Sequence, residues 1–145
     1  DVPFYRYTDA LMIKAECLLR TGDANGAAAI VNQIRQRDFK NTNPAKATVT
    51  GAKLLGGSVY KYGTYAAGVI TNYEGGADIQ YGGFLDELAW EFVGEAHRKQ
   101  DLIRFGVFTT KSWFSHKPNG AFRALLPIPQ SEMDKNSNLK QNPGY

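Results

Sequence analysis

Apolar side chains recur at helical spacing near the start of the chain. In residues 7–20 they are Leu11, Met12, Ala15, Leu18 and Leu19. Steps of three and four residues place such side chains on one face of an α-helix. Thr8 or Asp9 can cap its start, and Gly22 can adopt the left-handed conformation that ends a helix. The pattern predicts a helix over residues 7–20.

A second apolar stripe follows after a short connection. Its members are Ala27, Ala28, Ile30, Val31 and Ile34. Asp23 or Asn25 can cap this helix, which is predicted to reach about Arg37. Because the connection is short, the helices over residues 1–37 must be antiparallel, as in one tetratricopeptide-type unit. A single hairpin cannot bury its own apolar face, so a further element must cover it.

Residues 38–83 show no sustained helical period and are rich in glycine and tyrosine. Residues 53–55 and 68–71 have the most strand-like composition, and paired glycines at 56–57 and 75–76 mark turns. We therefore expect a loop-rich insertion with two short strands. Loops of this length within a compact domain are usually functional, so ligand or partner contact is expected here.

Helical spacing returns in the third quarter of the chain. Its apolar face comprises Phe84, Leu85, Leu88, Ala89, Phe92, Val93 and Ala96. This stripe predicts one long core helix within residues 84–106, ended by Gly106. Residues 107–145 are expected to be irregular, with one or two helical turns over 130–135. Their aromatic side chains are expected to form a lid over the helices, with Phe108, Trp113, Phe114 and Phe122 as its members. The predicted fold class is mainly α.

Charged residues form a row along the predicted long helix. Glu87, Glu91 and Glu95 are spaced by four residues, and Arg98 and Asp101 continue the row in steps of three. A catalytic interpretation would use Glu91 and Glu95 as an acid–base pair. No nucleophile, histidine relay or metal-ligand set accompanies them, so we favour a structural network. Its expected members are Glu16, Glu91, Glu95, Arg98 and Asp101, with Arg98 bonding Glu95 and Glu16.

The remaining motifs and the composition exclude several classes of site. His97 and His116 have no metal-binding spacing, and no phosphate-binding or nucleophile-elbow motif is present. Cys17 has apolar neighbours, which predicts a small buried side chain. The formal net charge is +3, but the basic residues are dispersed among acidic ones, which argues against a nucleic-acid-binding face. We expect no catalytic residue, metal site or cofactor.

Aromatic residues supply the candidate ligand contacts, because their rings can stack on sugars while tyrosine hydroxyls form hydrogen bonds. The candidates are Tyr60, Tyr62, Tyr65, Tyr73, Tyr81 and Trp113. Tyr60 and Tyr62 would lie on the same side of a strand. The alternative is that these rings fill a small core beneath the glycine-rich loop.

Four ordered blocks of the sequence resemble one known family. They are the helix Arg6-Tyr-Thr-Asp-Ala-Leu-Met-Ile-Lys-Ala-Glu16, the helix containing Asn32, Arg35 and Arg37, the stretch 86–106 and the terminal stretch 126–145. Together they resemble the C-terminal part of the SusD/RagB family of outer-membrane nutrient-binding lipoproteins of Bacteroidetes. The chain starts on Asp1 without methionine, as expected of a partial chain, and the typical family member is several times longer.

The resemblance implies a SusD-like helical fold and a protein on the outer face of the outer membrane. Such proteins bind glycans or other nutrients without cleaving them and pass oligosaccharide to a SusC-like TonB-dependent transporter. Any membrane association would use a lipid anchor outside this chain. The matched blocks are scaffold, so the resemblance assigns no ligand-binding residue.

Two alternatives remain open from the residues. The first is a helical-repeat module whose exposed hairpin face binds another protein without binding glycan. It weakens if the Leu11, Ala15, Leu18 and Ile30, Ile34 stripes are fully buried within the chain. The second is a glycosidase, which would require two carboxylates about 5–9 Å apart in an open pocket.

Overall fold

The computed structural model describes residues 5–145 and is mainly α-helical, as predicted. Asp1, whose position at the start was interpreted as that of a partial chain, lies outside the described residues. The helices are α1 Tyr7–Arg20, α2 Ala24–Phe39, α3 Gly51–Leu55, α4 Gly82–Glu91, α5 Arg98–Arg104 and α6 Gln130–Met133. The strands are β1 Gly63–Ala66 and β2 Val69–Tyr73. No helix within residues 5–145 is long and apolar enough to cross a membrane.

Helices α1 and α2 form the predicted hairpin. The predicted caps of α1, Thr8 or Asp9, lie two or three positions too late, because Arg6 is the N-cap and its backbone N–H donates to Oδ2 of Asp9 at 2.8 Å. Asp23 caps α2 by accepting from the backbone N–H of Gly26 at 2.8 Å. Gly22, with φ +96°, makes the turn between them. Helix α2 runs two residues beyond the predicted end at Arg37 because its backbone ladder continues to Phe39.

The apolar face of the hairpin is covered within the chain. Its buried stripes pack with side chains of α3 and α4 in one core cluster, which comprises Met12, Ala15, Leu19, Ala27, Ala28, Ile30, Val31, Ile34, Leu54, Phe84, Leu88 and Phe92. Leu11 and Leu18 are partly buried against it. The covering element required by the sequence argument is therefore supplied by α3 and α4.

Of the two strands predicted in the insertion, one is present and the other is a helix. Residues 53–55, predicted as a strand, belong to α3, because the hydroxyl of Thr50 caps this short helix by accepting from the N–H of Lys53 at 3.3 Å. The strand predicted over 68–71 is part of β2, which pairs with β1 in an antiparallel hairpin. A bulge between Thr64 and Tyr65 interrupts the register.

The single long helix predicted over 84–106 is two helices. After α4 the chain adopts positive φ at Gly94 (+80°) and Ala96 (+63°), which a continuous helix cannot accommodate. Arg6 helps to end α4, because its Nη2 donates to the carbonyl oxygen of Glu91 at 2.9 Å. Gly106, with φ +72°, follows α5 as predicted.

A second, smaller core lies beside the first. It contains Tyr62, Ile79, Leu85, Leu102 and Val107, with Tyr60, Phe105, Phe108 and Trp113 partly buried against it. The predicted aromatic lid is only partly correct. Phe114 is exposed, and Phe122 packs edge-on against Tyr145, because residues 117–145 form their own hydrogen-bonded segment.

Candidate functional site

The acidic row of α4 is bonded by arginines from α2 and from the residue preceding α1. Nη1 of Arg6 lies 2.6 Å from Oε1 of Glu91, and its Nε lies 2.8 Å from Oε2 of Glu95. Nη2 of Arg37 is 2.9 Å from Oε2 of Glu91. The hydrogen bond from Arg6 lowers the pKa of Glu95. Arginines therefore bond both acids and join the end of α4 to α2 and to the residue preceding α1.

Glu16 forms the centre of a second cluster. Arg104 donates to its two carboxylate oxygens at 2.7 and 2.8 Å, and Arg20 donates to Oε1 at 2.8 Å. Burial acts to raise the pKa of Glu16, but the bonds from Arg104 and Arg20 outweigh burial and lower it. Arg104 also reaches Asp101 at 3.1 Å, although burial raises the pKa of Asp101.

The predicted role of Arg98 is wrong. The arginine at Glu95 is Arg6, and the arginines at Glu16 are Arg20 and Arg104. Arg98 lies after the helix break, so its guanidinium turns to the second core. There it donates to the carbonyl oxygen of Leu85 at 3.0 Å and to the hydroxyl of Tyr62 at 3.3 Å.

Two grooves of the helical body are bordered by charge pairs. One, of about 590 Å³, runs between α1 and α5 past Glu16, Glu95 and Asp101, each of which is bonded to an arginine. The arginine bonds argue against a glycosidase that uses these three carboxylates, because its acid and base must be free to exchange protons with substrate. Cys17 also lines this groove and is exposed, contrary to prediction, because it lies on the side of α1 opposite its buried stripe.

The other groove, of about 380 Å³, has an apolar floor that includes Val31, Ile34 and Phe39. Trp90 borders it and is 57% exposed, with the Arg35 guanidinium 5.6 Å from its ring centre. Of the stripe residues named from the sequence, Ala15, Ile30 and Ile34 are buried, whereas Leu11 and Leu18 are only partly buried. The condition of full burial is met in part, so the interaction-module alternative is weakened only in part.

Four of the six aromatic candidates lie in or against the cores. Tyr62 is 1% exposed and makes edge contacts with Tyr60 (4.7 Å between ring centres) and Trp113 (6.3 Å). Burial raises the pKa of Tyr60 and of Tyr62. Tyr81 packs against the main core with the Arg20 guanidinium 5.1 Å from its ring centre. Tyr60 and Tyr62 do not share a strand, because both precede β1.

Two candidates remain at the surface, on the β-hairpin. Tyr65 of β1 is half-buried, and Tyr73 at the end of β2 is 66% exposed. The Tyr65 ring stacks on Phe114, with centres 5.3 Å apart and planes inclined by 27°. Sequence reasoning missed Phe114 as a ligand candidate and assigned it to the lid. We call Tyr65, Tyr73 and Phe114 the aromatic hairpin surface.

The hairpin is tied at its base to the segment that carries Phe114. The N–H of Gly63 donates to the carbonyl oxygen of Ser112 at 2.7 Å, and the N–H of Ser112 donates to Oε2 of Glu74 at 2.8 Å. The approach to β1 is held by the buried carboxylate of Asp86. It accepts from the Ser58 hydroxyl at 2.6 Å and from the Val59 N–H at 2.7 Å. These bonds give the surface rings a fixed support.

Comparison with known sequences agrees with this architecture. The sequence model of the SusD family matches residues 1–124 and residues 108–145. The starch-binding protein SusD of Bacteroides thetaiotaomicron is 30% identical over 154 aligned residues, which cover 100% of this chain and 22% of that protein. The SusD-like protein P25 of Formosa agariphila is 27% identical over 152 residues, covering 97% of this chain and 24% of that protein. The chain thus spans about a quarter of the length of these relatives.

Proposed function

This chain belongs to the SusD family, and on that premise we propose that it is a noncatalytic glycan-binding part of an outer-membrane nutrient-uptake system. The complete protein would lie on the outer surface of the outer membrane, held by a lipid anchor outside this chain. It would deliver oligosaccharide to a SusC-like TonB-dependent transporter. The similarity to a starch-binding protein favours a glucan among the possible nutrients.

The noncatalytic part of the proposal is supported by the state of the acids. Arg6 donates hydrogen bonds to both Glu91 and Glu95, and Arg20 and Arg104 both donate to Glu16. A glycosidase needs one carboxyl to donate a proton and another to act as nucleophile or base. Charge-assisted hydrogen bonds to arginine hold these carboxylates in place, which suits a scaffold.

The proposal of glycan binding is supported mainly by the aromatic hairpin surface. It combines exposed ring faces with a rigid two-stranded support, and aromatic rings bind well to surfaces that are apolar on one side and polar at the edge. A pyranose ring has such a surface, since its C–H groups form apolar patches and its hydroxyls project outward. Tyr65 offers a ring and a hydroxyl oxygen that can accept a hydrogen bond from this ligand class, since the hydroxyl proton is directed to the carbonyl oxygen of Lys61 at 3.4 Å.

We expect the full chain to bind an oligosaccharide in isothermal titration calorimetry with maltohexaose or cellohexaose. Removing the Tyr65 ring should weaken binding about three- to tenfold, because one aromatic contact contributes about 0.5–1.5 kcal/mol. Tyr65→Ala is therefore compared with Tyr7→Ala, which removes an exposed tyrosine from the distant start of α1.

The two variants distinguish a wrong location of the binding site from a wrong function. Binding that is weakened by Tyr65→Ala and unchanged by Tyr7→Ala supports both the proposed function and its location. Equal binding by the two variants would move the site away from the hairpin. A wild-type chain that binds neither maltohexaose nor cellohexaose would contradict glycan binding by this part of the protein.

A further inference from the structure

Phe114 occupies a backbone conformation that its side chain disfavours. Its φ is +46°, in the left-handed region that bulky residues rarely adopt. It is the first of two residues in a tight loop, closed by bonds from the N–H of Trp113 to the carbonyl oxygen of His116 (3.2 Å) and from the N–H of His116 to that of Trp113 (2.8 Å). Glycine usually stands where such a loop requires positive φ.

Burial of the Phe114 ring does not explain the choice of residue. The side chain is 65% exposed, and its described ring contact is the stack on Tyr65. The loop has other anchors. Trp113 stacks on His116 with ring centres 3.8 Å apart, and Nε2 of His116 lies 2.9 Å from the carbonyl oxygen of Phe108. The loop would therefore keep its shape without the phenyl ring.

Strained residues of this kind cluster at ligand-binding positions, where the cost is tolerated because the side chain is needed there. In this conformation one face of the Phe114 ring is exposed to solvent, and the other face stacks on Tyr65. Phenylalanine has no polar atom, so its ring favours a flat apolar partner.

We infer that Phe114 is a sugar-stacking residue, whose exposed ring face packs on the C–H face of a pyranose unit of the glycan, with Tyr65 as its support. The inference rests on the proposed function and names the residue and the ligand surface. It also explains why a residue with an unfavourable φ stands at the tip of the loop.

The test compares three substitutions at position 114 in the full chain, titrated with maltohexaose and cellohexaose. Phe114→Ala and Phe114→Gly both remove the ring and should weaken binding about three- to tenfold. Phe114→Trp keeps a ring face and should retain binding. Phe114→Gly should melt about 2–4 °C above Phe114→Ala, because only glycine relieves the positive φ.

Saturation-transfer NMR gives a second readout that a purely structural role would not change. With the wild-type chain, saturation should be strongest at sugar protons of one ring face, and Phe114→Ala should abolish this contrast. Wild-type affinity in both Phe114→Ala and Phe114→Gly would overturn the inference while leaving the proposed function standing. Failure of the wild-type chain to bind either sugar would overturn both.

Discussion

Arg6 and Arg104 each bond two carboxylates. Arg6 donates to the side chains of Glu91 and Glu95, and Arg104 donates to Glu16 of α1 and Asp101 of α5. The planar guanidinium suits this role because it presents several N–H groups in a fixed geometry. Single side chains thereby set how α1 packs on α4 and α5.

Glu16 should make stability depend on pH. Because its folded-state pKa is lowered, its contribution is fully present above the unfolded pKa of about 4.3 and is lost as pH falls through the folded pKa. We expect Glu16→Gln to reduce the free energy of unfolding by about 1–3 kcal/mol at pH 7. The difference from wild type should shrink below about pH 4.

Urea denaturation at pH 7, 5 and 3.5 measures this difference. Burial raises the pKa of Glu87 and Asp101. Their contribution to the free energy of unfolding therefore has the opposite pH dependence, and it falls as pH rises from the unfolded-state pKa to the folded-state pKa. Comparison of variant with wild type cancels the contribution of Glu87, whereas that of Asp101 cancels only in part because Asp101 shares Arg104 with Glu16. Glu132→Gln, in an exposed pair with Lys135, is the control and should change stability by less than about 1 kcal/mol. A difference at Glu16 that is constant with pH would contradict the prediction.

At the scale of elements, the start of α4 lies directly against the end of α3. The N–H of Gly83 donates to the carbonyl oxygen of Gly56 at 2.9 Å. A Cβ at Gly83 would collide with the backbone carbonyl oxygen of Lys53. This close approach of two backbones lets the short α3 contribute Leu54 to the main core. The position therefore requires glycine for space.

Gly83→Ala should lower the free energy of unfolding by about 2–3 kcal/mol, because a backbone atom cannot move aside as a side chain can. Gly94→Ala is the matched control in the loop between α4 and α5. No atom lies within 4 Å of a Cβ there, and only its φ of +80° is unfavourable, which costs about 1 kcal/mol. Chemical denaturation of both variants should give this ranking, and a smaller loss for Gly83→Ala would refute the close packing.

For the whole molecule, two buried clusters hold the helical body together, while residues 117–145 lie outside both. Within the described chain, no residue of that segment is buried, and its exposed side chains include Leu126 at 69%. Its own bonds hold it in shape, such as those from Tyr145 to Leu125 and from Asn142 to Leu126. The segment therefore contributes little to burial in the body.

A chain ending at His116 should keep the stability of the helical body. We expect its melting temperature, followed by far-UV circular dichroism, to lie within about 3 °C of the full chain, because removing exposed residues changes unfolding free energy only slightly. Loss of the cooperative transition would mean that the segment supports the body through contacts beyond its own hydrogen bonds.

The local pattern predicted those parts of the fold that depend on near neighbours in the chain. The spacing of Leu11, Ala15 and Leu19 predicted α1 with correct bounds, and the short connection at Gly22 predicted the hairpin. The same reasoning missed the break in the third helix, because Phe92 to Ala96 keep an apolar helical period. The contact that helps to end α4 comes from Arg6, more than eighty residues away in sequence.

The sequence by itself therefore determined the helical class, the hairpin, the family and the chemistry of the charged row. Helical period and residue type are local properties, and the family blocks are read directly from residue order. Only the tertiary structure decided which arginine meets which acid, and which rings are buried. From the sequence, Tyr62 and Phe114 are both aromatic residues with no signal that separates a buried ring from an exposed one. In the fold Tyr62 is buried and bonded to Arg98, whereas Phe114 is exposed and stacks on Tyr65. That difference depends on long-range packing, which residue order does not display.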